Sequence, residues 1–268
     1  MRTMIGTGAH IAVSAIDRTC KELGVPLPKG YVDRLAAADK LTTNLAAISG
    51  PNSAGDLIDA VFAEVAAGKH PADSEQVRRL ALIVQLENYD LSRQTHERSK
   101  AMVGDAVCEY ADQLIASWSD ATSTAGEQLR EVAQHATFAG VDNVQAMSPA
   151  QLVDPADHQR WVTAATAGRK LDSAANGFGS LLAAVHLGHP PGYRTLVLGP
   201  GMRLDDLAEV NRANGNGNPT AWTIASAGIT PTLCRSLADF AQAVGAVSAE
   251  QSARDEDALA ASAPTRFS

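Results

Sequence analysis

Apolar positions recur at helical spacing along most of this chain, and glycine and proline cut the pattern into segments of unequal length. Thr7 can cap a first helix running to about residue 23, with Gly24 just past its end. Val25-Pro26-Leu27-Pro28 then reads as an extended connector, because proline disfavours helix in the residue before it. Residues 31–47 carry Val32, Leu35, Leu41 and Leu45 on a broad apolar face. Ser49-Gly50-Pro51-Asn52 is a turn, and Ser53 can cap a third helix over 54–67. There Leu57, Ile58, Val61, Phe62 and Val65 form a stripe at helical spacing, ended by Gly68.

The longest uninterrupted pattern follows. No proline occurs between Pro71 and Pro149, and Asp73 is a suitable N-cap. One helix over residues 73–137 would be about 98 Å long at 1.5 Å per residue. Its second half carries Val103, Val107, Tyr110, Leu114, Trp118, Ala121, Ala125, Leu129, Val132 and Ala136. The steps of four, three and four repeat with an eleven-residue period, which keeps one seam facing a partner with little supercoil. Two stretches argue instead for a bundle of shorter helices. Residues 87–100 are strongly polar, and residues 119–126 are rich in Ser, Thr and Gly. Gly104 and Gly126 each cost about 1 kcal/mol relative to alanine inside a helix.

Asp154-Pro155 opens another helix, expected to reach about residue 187 with bends or splits at Gly168, Gly177 and Gly179. His189-Pro190-Pro191-Gly192 is a firm break and the best candidate for a domain boundary. Beyond it, residues 193–198 (YRTLVL) and 221–225 (AWTIA) read as short strands. A helix over 204–213, an NGNGNP loop and a last helix from Thr230-Pro231 complete a β-α-β-α order. Leu233, Leu237, Phe240 and Val244 are its expected inward positions. The expected fold is therefore mainly α: a long central helix or helical bundle, flanking short helices, and a small C-terminal β-α-β-α unit. The corresponding segments are short helices over 1–72, the helical region over 73–190, the α/β unit over 191–247 and a flexible tail over 248–268.

Composition narrows the functional classes. Apolar residues make up 45% of the 268 positions while aromatics supply 4%, so alanine carries much of the core and large anchors are few. The net charge of −8, with no dense Lys/Arg run, argues against a nucleic-acid partner or an anionic lipid surface. Cys20, Cys108 and Cys234 are far apart and unpaired in spacing, as in a reducing compartment. The N-terminal segment reads as a helix and not a signal peptide, and no apolar run approaches 18 residues. A cytoplasmic protein, or one assembled from the cytoplasm into a particle, is expected.

Candidate chemistry is sparse. Gly199-Pro200-Gly201 lies between an expected strand and helix, where backbone N–H groups can hold an anion with Arg203 as charge partner. The third glycine of a dinucleotide fingerprint is missing, and no P-loop or GxSxG elbow is present. His186 and His189 lack nearby acidic or Cys partners, and His96-Glu97 is not continued into HExxH. Asp205 and Asp206 suit the positive start of a helix, and Asp255, Glu256 and Asp257 suit a solvated tail. Cys108 and Cys234 show no neighbouring base. No cofactor and no metal are expected.

These features favour a non-enzymatic assembly protein. It would self-associate, or dock on a protein partner, through the coiled-coil-like seam Val103, Val107, Tyr110, Leu114, Trp118, Leu129 and Val132. A phage or prophage virion component is one concrete version. The alternative is a small-ligand binder or enzyme that uses the loop Gly199, Gly201 and Arg203.

Overall fold

The computed structural model describes residues 8–48, 53–88, 90–185, 187, 192–214 and 219–262. All regular elements among them are helices, and no strand is present. Residues 193–198 and 221–225, expected as strands, form helices, so the C-terminal β-α-β-α unit does not exist.

The chain divides into two compact units, each described here by itself. Unit 1 comprises residues 1–10 and 29–106, and unit 2 comprises 11–28 and 107–268. Helix α1, Gly8–Leu23, ends as expected at Gly24, whose φ of 69° glycine tolerates best. Helices α2, Lys29–Ile48, and α3, Ser53–Ala66, also follow the pattern. The Thr7 cap and the turn at 49–52 lie outside the described residues.

The expected long helix is three helices. They are α4, Glu75–Asn88, α5, Leu91–Ala121, and α6, Ala125–Ala133. Both breaks fall in the polar stretches. Asp90 adopts a left-handed φ of 52° ahead of α5. At the other end Thr122 donates its hydroxyl to the Trp118 carbonyl at 2.9 Å, competing with the helix's own bonds. Gly126 then has a packing role: a Cβ there would collide with the Pro231 carbonyl oxygen, so glycine lets that backbone cross α6.

Helix α7, Pro155–Ala184, starts where Asp154 accepts a bond from the Ala156 N–H at 2.8 Å. It runs unbroken through Gly168, Gly177 and Gly179, against the expectation of a bend. The three glycines are buried, and Gly177 admits the Thr19 side chain of α1 against its backbone. Neighbours that need close approach thus outweigh the propensity cost of glycine.

The two misread strands are α8, Tyr193–Val197, and α10, Ala221–Ser226. Ala221, Trp222, Ile224 and Ala225 are all buried. A short run buried on every side shows no period, so it cannot be told from a strand by pattern alone. The helical signal lay beside it: Thr220 and Thr223 form a reciprocal capping box. Between α8 and α10 lies α9, Leu204–Asn214. Residues 215–218 of the NGNGNP loop, and 189–191 of the proline break, lie outside the described residues.

The last helix begins later than Pro231 suggests. Residues 229–236 stay non-helical, and Thr232 and Cys234 donate to the Leu198 and Val197 carbonyls at 2.7 and 2.9 Å. They fill acceptors that the end of α8 leaves open. Helix α11, Leu237–Ser262, then continues through most of the expected tail, and residues 263–268 lie outside the described residues.

Candidate functional site

The eleven-residue seam is the first candidate, and its side chains face this chain's own interior. Val107, Leu114, Trp118, Leu129 and Val132 are buried in unit 2, and Val103 is buried in unit 1. Tyr110 is half-buried. The Trp118 indole donates to Cys20 Sγ of α1 at 3.2 Å, so the seam's largest anchor is already held from within. Helix α6 carries Leu129 and Val132 against its neighbours α7 and α10. The regular spacing therefore describes a core stripe.

The second candidate is the loop Gly199, Gly201 and Arg203. Gly199 is buried beneath the Met202 side chain, whereas Gly201 is exposed with open space beside it. The N–H groups at the head of α9 are occupied by this chain's own carboxylates. Arg203 N–H donates to Asp206 at 2.8 Å, and Leu204 N–H donates to Glu250 of α11 at 3.0 Å. The Arg203 guanidinium lies 3.5 Å from Glu250. Arg254 of α11 joins Glu250 and Asp205, both at 2.9 Å. The Leu204 N–H and then Arg254 hold Glu250 below its ordinary pKa, and the bond from Arg254 does the same for Asp205. The arrangement clamps α11 onto α9 and leaves these two donors no vacancy for an anion.

The remaining sequence candidates do not converge. His186 and His189 lie outside the described residues, and His96 and Glu97 are exposed. Among the described residues, no group of three His, Cys, Asp or Glu side chains is placed to hold a metal ion. Cys108 is exposed, and Cys234 is buried with its pKa pushed up to about 12, chiefly by desolvation. A thiol held so fully protonated is a poor nucleophile.

Two polar features escaped sequence reasoning. Asp172 of α7 accepts bonds from Arg194 at 2.8 Å, from the Ala221 N–H at 2.9 Å and from Gln145 at 3.1 Å. It ties α7 to α8, α10 and the preceding loop, and nothing local in sequence marks it. A cleft of about 210 Å³ between α1 and α7 is lined by Arg18, Glu22, Thr19, Ser173, Asn176 and Ser180 among others. Several of its polar groups are engaged: Thr19 donates to Ser173, Ser180 to the Asn176 carbonyl, and Arg194 to the Asn176 side chain.

A surface on α3 stands apart from these. Ile58, Phe62 and Val65 are 55%, 67% and 56% exposed. Their i, i+4, i+7 spacing sets them in one row, while Leu57 and Val61 turn inward. Helix α3 packs on α4 through that inward side, and Leu82 of α4 is also exposed. The stripe was legible as helical spacing; which of its two halves faces outward was not. No described helix is long and apolar enough to cross a membrane. Compared with known proteins, the chain matches no family model, no curated protein and no solved structure.

Proposed function

We propose that this chain is a non-enzymatic assembly protein that docks on protein through the apolar row of α3. The observation that carries the reading is the exposure of Ile58, Phe62 and Val65 in one row. Three large apolar side chains aligned on one helix are costly to leave in water, and such rows mark protein interaction surfaces. A place in a phage or prophage particle is one setting for such a protein, and that part rests on the helical architecture alone.

The test is a photo-crosslinking phenylalanine analogue at position 62 of the full chain, in the cells that make it. A control carries the analogue at the exposed Gln251. A protein adduct specific to position 62, identified by mass spectrometry and lost on Ile58→Asp, is the expected result. Absence of any position-specific protein adduct refutes the docking role.

A further inference from the structure

Helix α3 is charged in one sense along its length and in the other at its end. It contains Asp56, Asp59 and Glu64 and no Lys or Arg. Beyond it, Gly68 with φ 68° reverses the chain, and Lys69 N–H donates to the Glu64 carbonyl at 3.0 Å. That bond fixes Lys69 against the C-terminal end of the helix. Asp56 and Lys69 are both exposed. The helix is thus acidic at its start and has a tethered cation at its finish, with an apolar row between.

We infer that the occupant of the α3 face is a second copy of this chain, paired antiparallel about a two-fold axis beside Phe62. This rests on the reading of α3 as a docking face and names the partner. A two-fold interface requires a patch that complements itself. In the antiparallel register Ile58 of each copy lies opposite Val65 of the other, and the two Phe62 rings meet near the axis. Lys69 of each copy then reaches the Asp56 end of the other. Helix dipoles also oppose favourably in this orientation. A parallel pair would set Asp56 and Asp59 beside their own copies, which like-charge repulsion disfavours.

Area decides the strength. Three side chains at these exposures contribute roughly 300 Å² per copy, less than half of the ~800 Å² each partner buries in a standard interface. The pair is therefore weak and depends on concentration.

Sedimentation velocity of the purified full chain over a wide concentration range tests this, with circular dichroism checking that each variant is folded. The wild type shifts from monomer to dimer. Phe62→Asp weakens the dimer at least about 30-fold, as expected for a central anchor. Lys69→Glu weakens it several-fold, and adding Asp56→Lys to that variant recovers it. A wild type that stays monomeric throughout overturns the second-copy inference, while the crosslinking at position 62 separately decides whether α3 docks at all. Dimerisation indifferent to both Lys69→Glu and the double change overturns the antiparallel register. Unfolding of a monomer by Phe62→Asp, with Lys69→Glu silent on association, overturns the inference by making the row part of the chain's own core.

Discussion

Unit 2 closes over its large side chains and unit 1 does not. Trp118, Trp222, Phe138, Phe178 and Leu171 are fully buried in unit 2. Among the largest fully buried side chains, Tyr31 alone belongs to unit 1. The rest of the described core of unit 1 is Ala38, Val77, Ile83, Val103 and Ala106, all smaller. The exposed large side chains of unit 2, such as Val153 and Leu187, are scattered, whereas those of α3 form a row. The same alanine-rich composition thus has two outcomes. Where aromatic anchors are interleaved with alanine, helices close into a core. Where they are not, the apolar residues that remain are available to something else.

The contrast is broken first by mutation of the anchors. Trp118→Ala should destabilise unit 2 by about 3–5 kcal/mol in urea unfolding, while Phe62→Asp should change folding by less than about 0.5 kcal/mol. Equal effects would erase the distinction between a core position and a surface one.

Next in size is Gly126→Ala. Helix propensity alone favours the change by about 1 kcal/mol. The new Cβ meets the Pro231 carbonyl, so the net effect should be a loss of about 1–3 kcal/mol, read from the same unfolding curves.

Acid should sharpen the contrast. Among the described residues, the carboxyls held below their ordinary pKa are Asp157, Asp205 and Glu250, all in unit 2. The Thr137 hydroxyl leads the effect at Asp157, the Leu204 N–H at Glu250, and the Arg254 guanidinium at Asp205. Because their folded pKa values are lowered, their stabilisation is complete above the ordinary carboxylate range of about 4. It is lost as pH falls through the depressed values below that. Hydrogen exchange along α9 and α11 should therefore accelerate below pH 4, with α3 showing no such step from these groups.

The smallest effect concerns α8. The Thr195 hydroxyl is fully buried without a hydrogen-bond partner. Thr195→Val should raise the melting temperature slightly, by up to about 1 kcal/mol of stability, since a desolvated hydroxyl is removed without breaking a bond.

Much of the helical architecture was legible because caps and punctuation are local. Gly24, Gly68 and Asp154 marked helix boundaries correctly, and both polar stretches in 73–137 marked the breaks. What failed depended on distant neighbours. Residues 193–198 and 221–225 are apolar on all sides because other helices surround them, so their period carried no information. Gly126 looked like a cost because Pro231 is far away in sequence. The seam through Leu114 and Trp118 was read correctly as a stripe, but spacing alone does not say who covers it. Its cover includes Cys20, from the other end of the chain. The α3 row was visible for the same reason and equally silent about its exposure.

Unit 1 interrupts unit 2 in sequence, and this orders events during synthesis. Helix α1 leaves the ribosome first, yet its partners come late. Cys20 waits 98 residues for Trp118, and Thr19 waits 154 for Ser173. Both closures carry the entropy of a long loop. Residues 29–106 emerge in between and are free to fold while α1 is still unpartnered. The apolar row of α3 would then be on display before the larger core has closed, so the nascent chain meets its docking face earlier than its own interior.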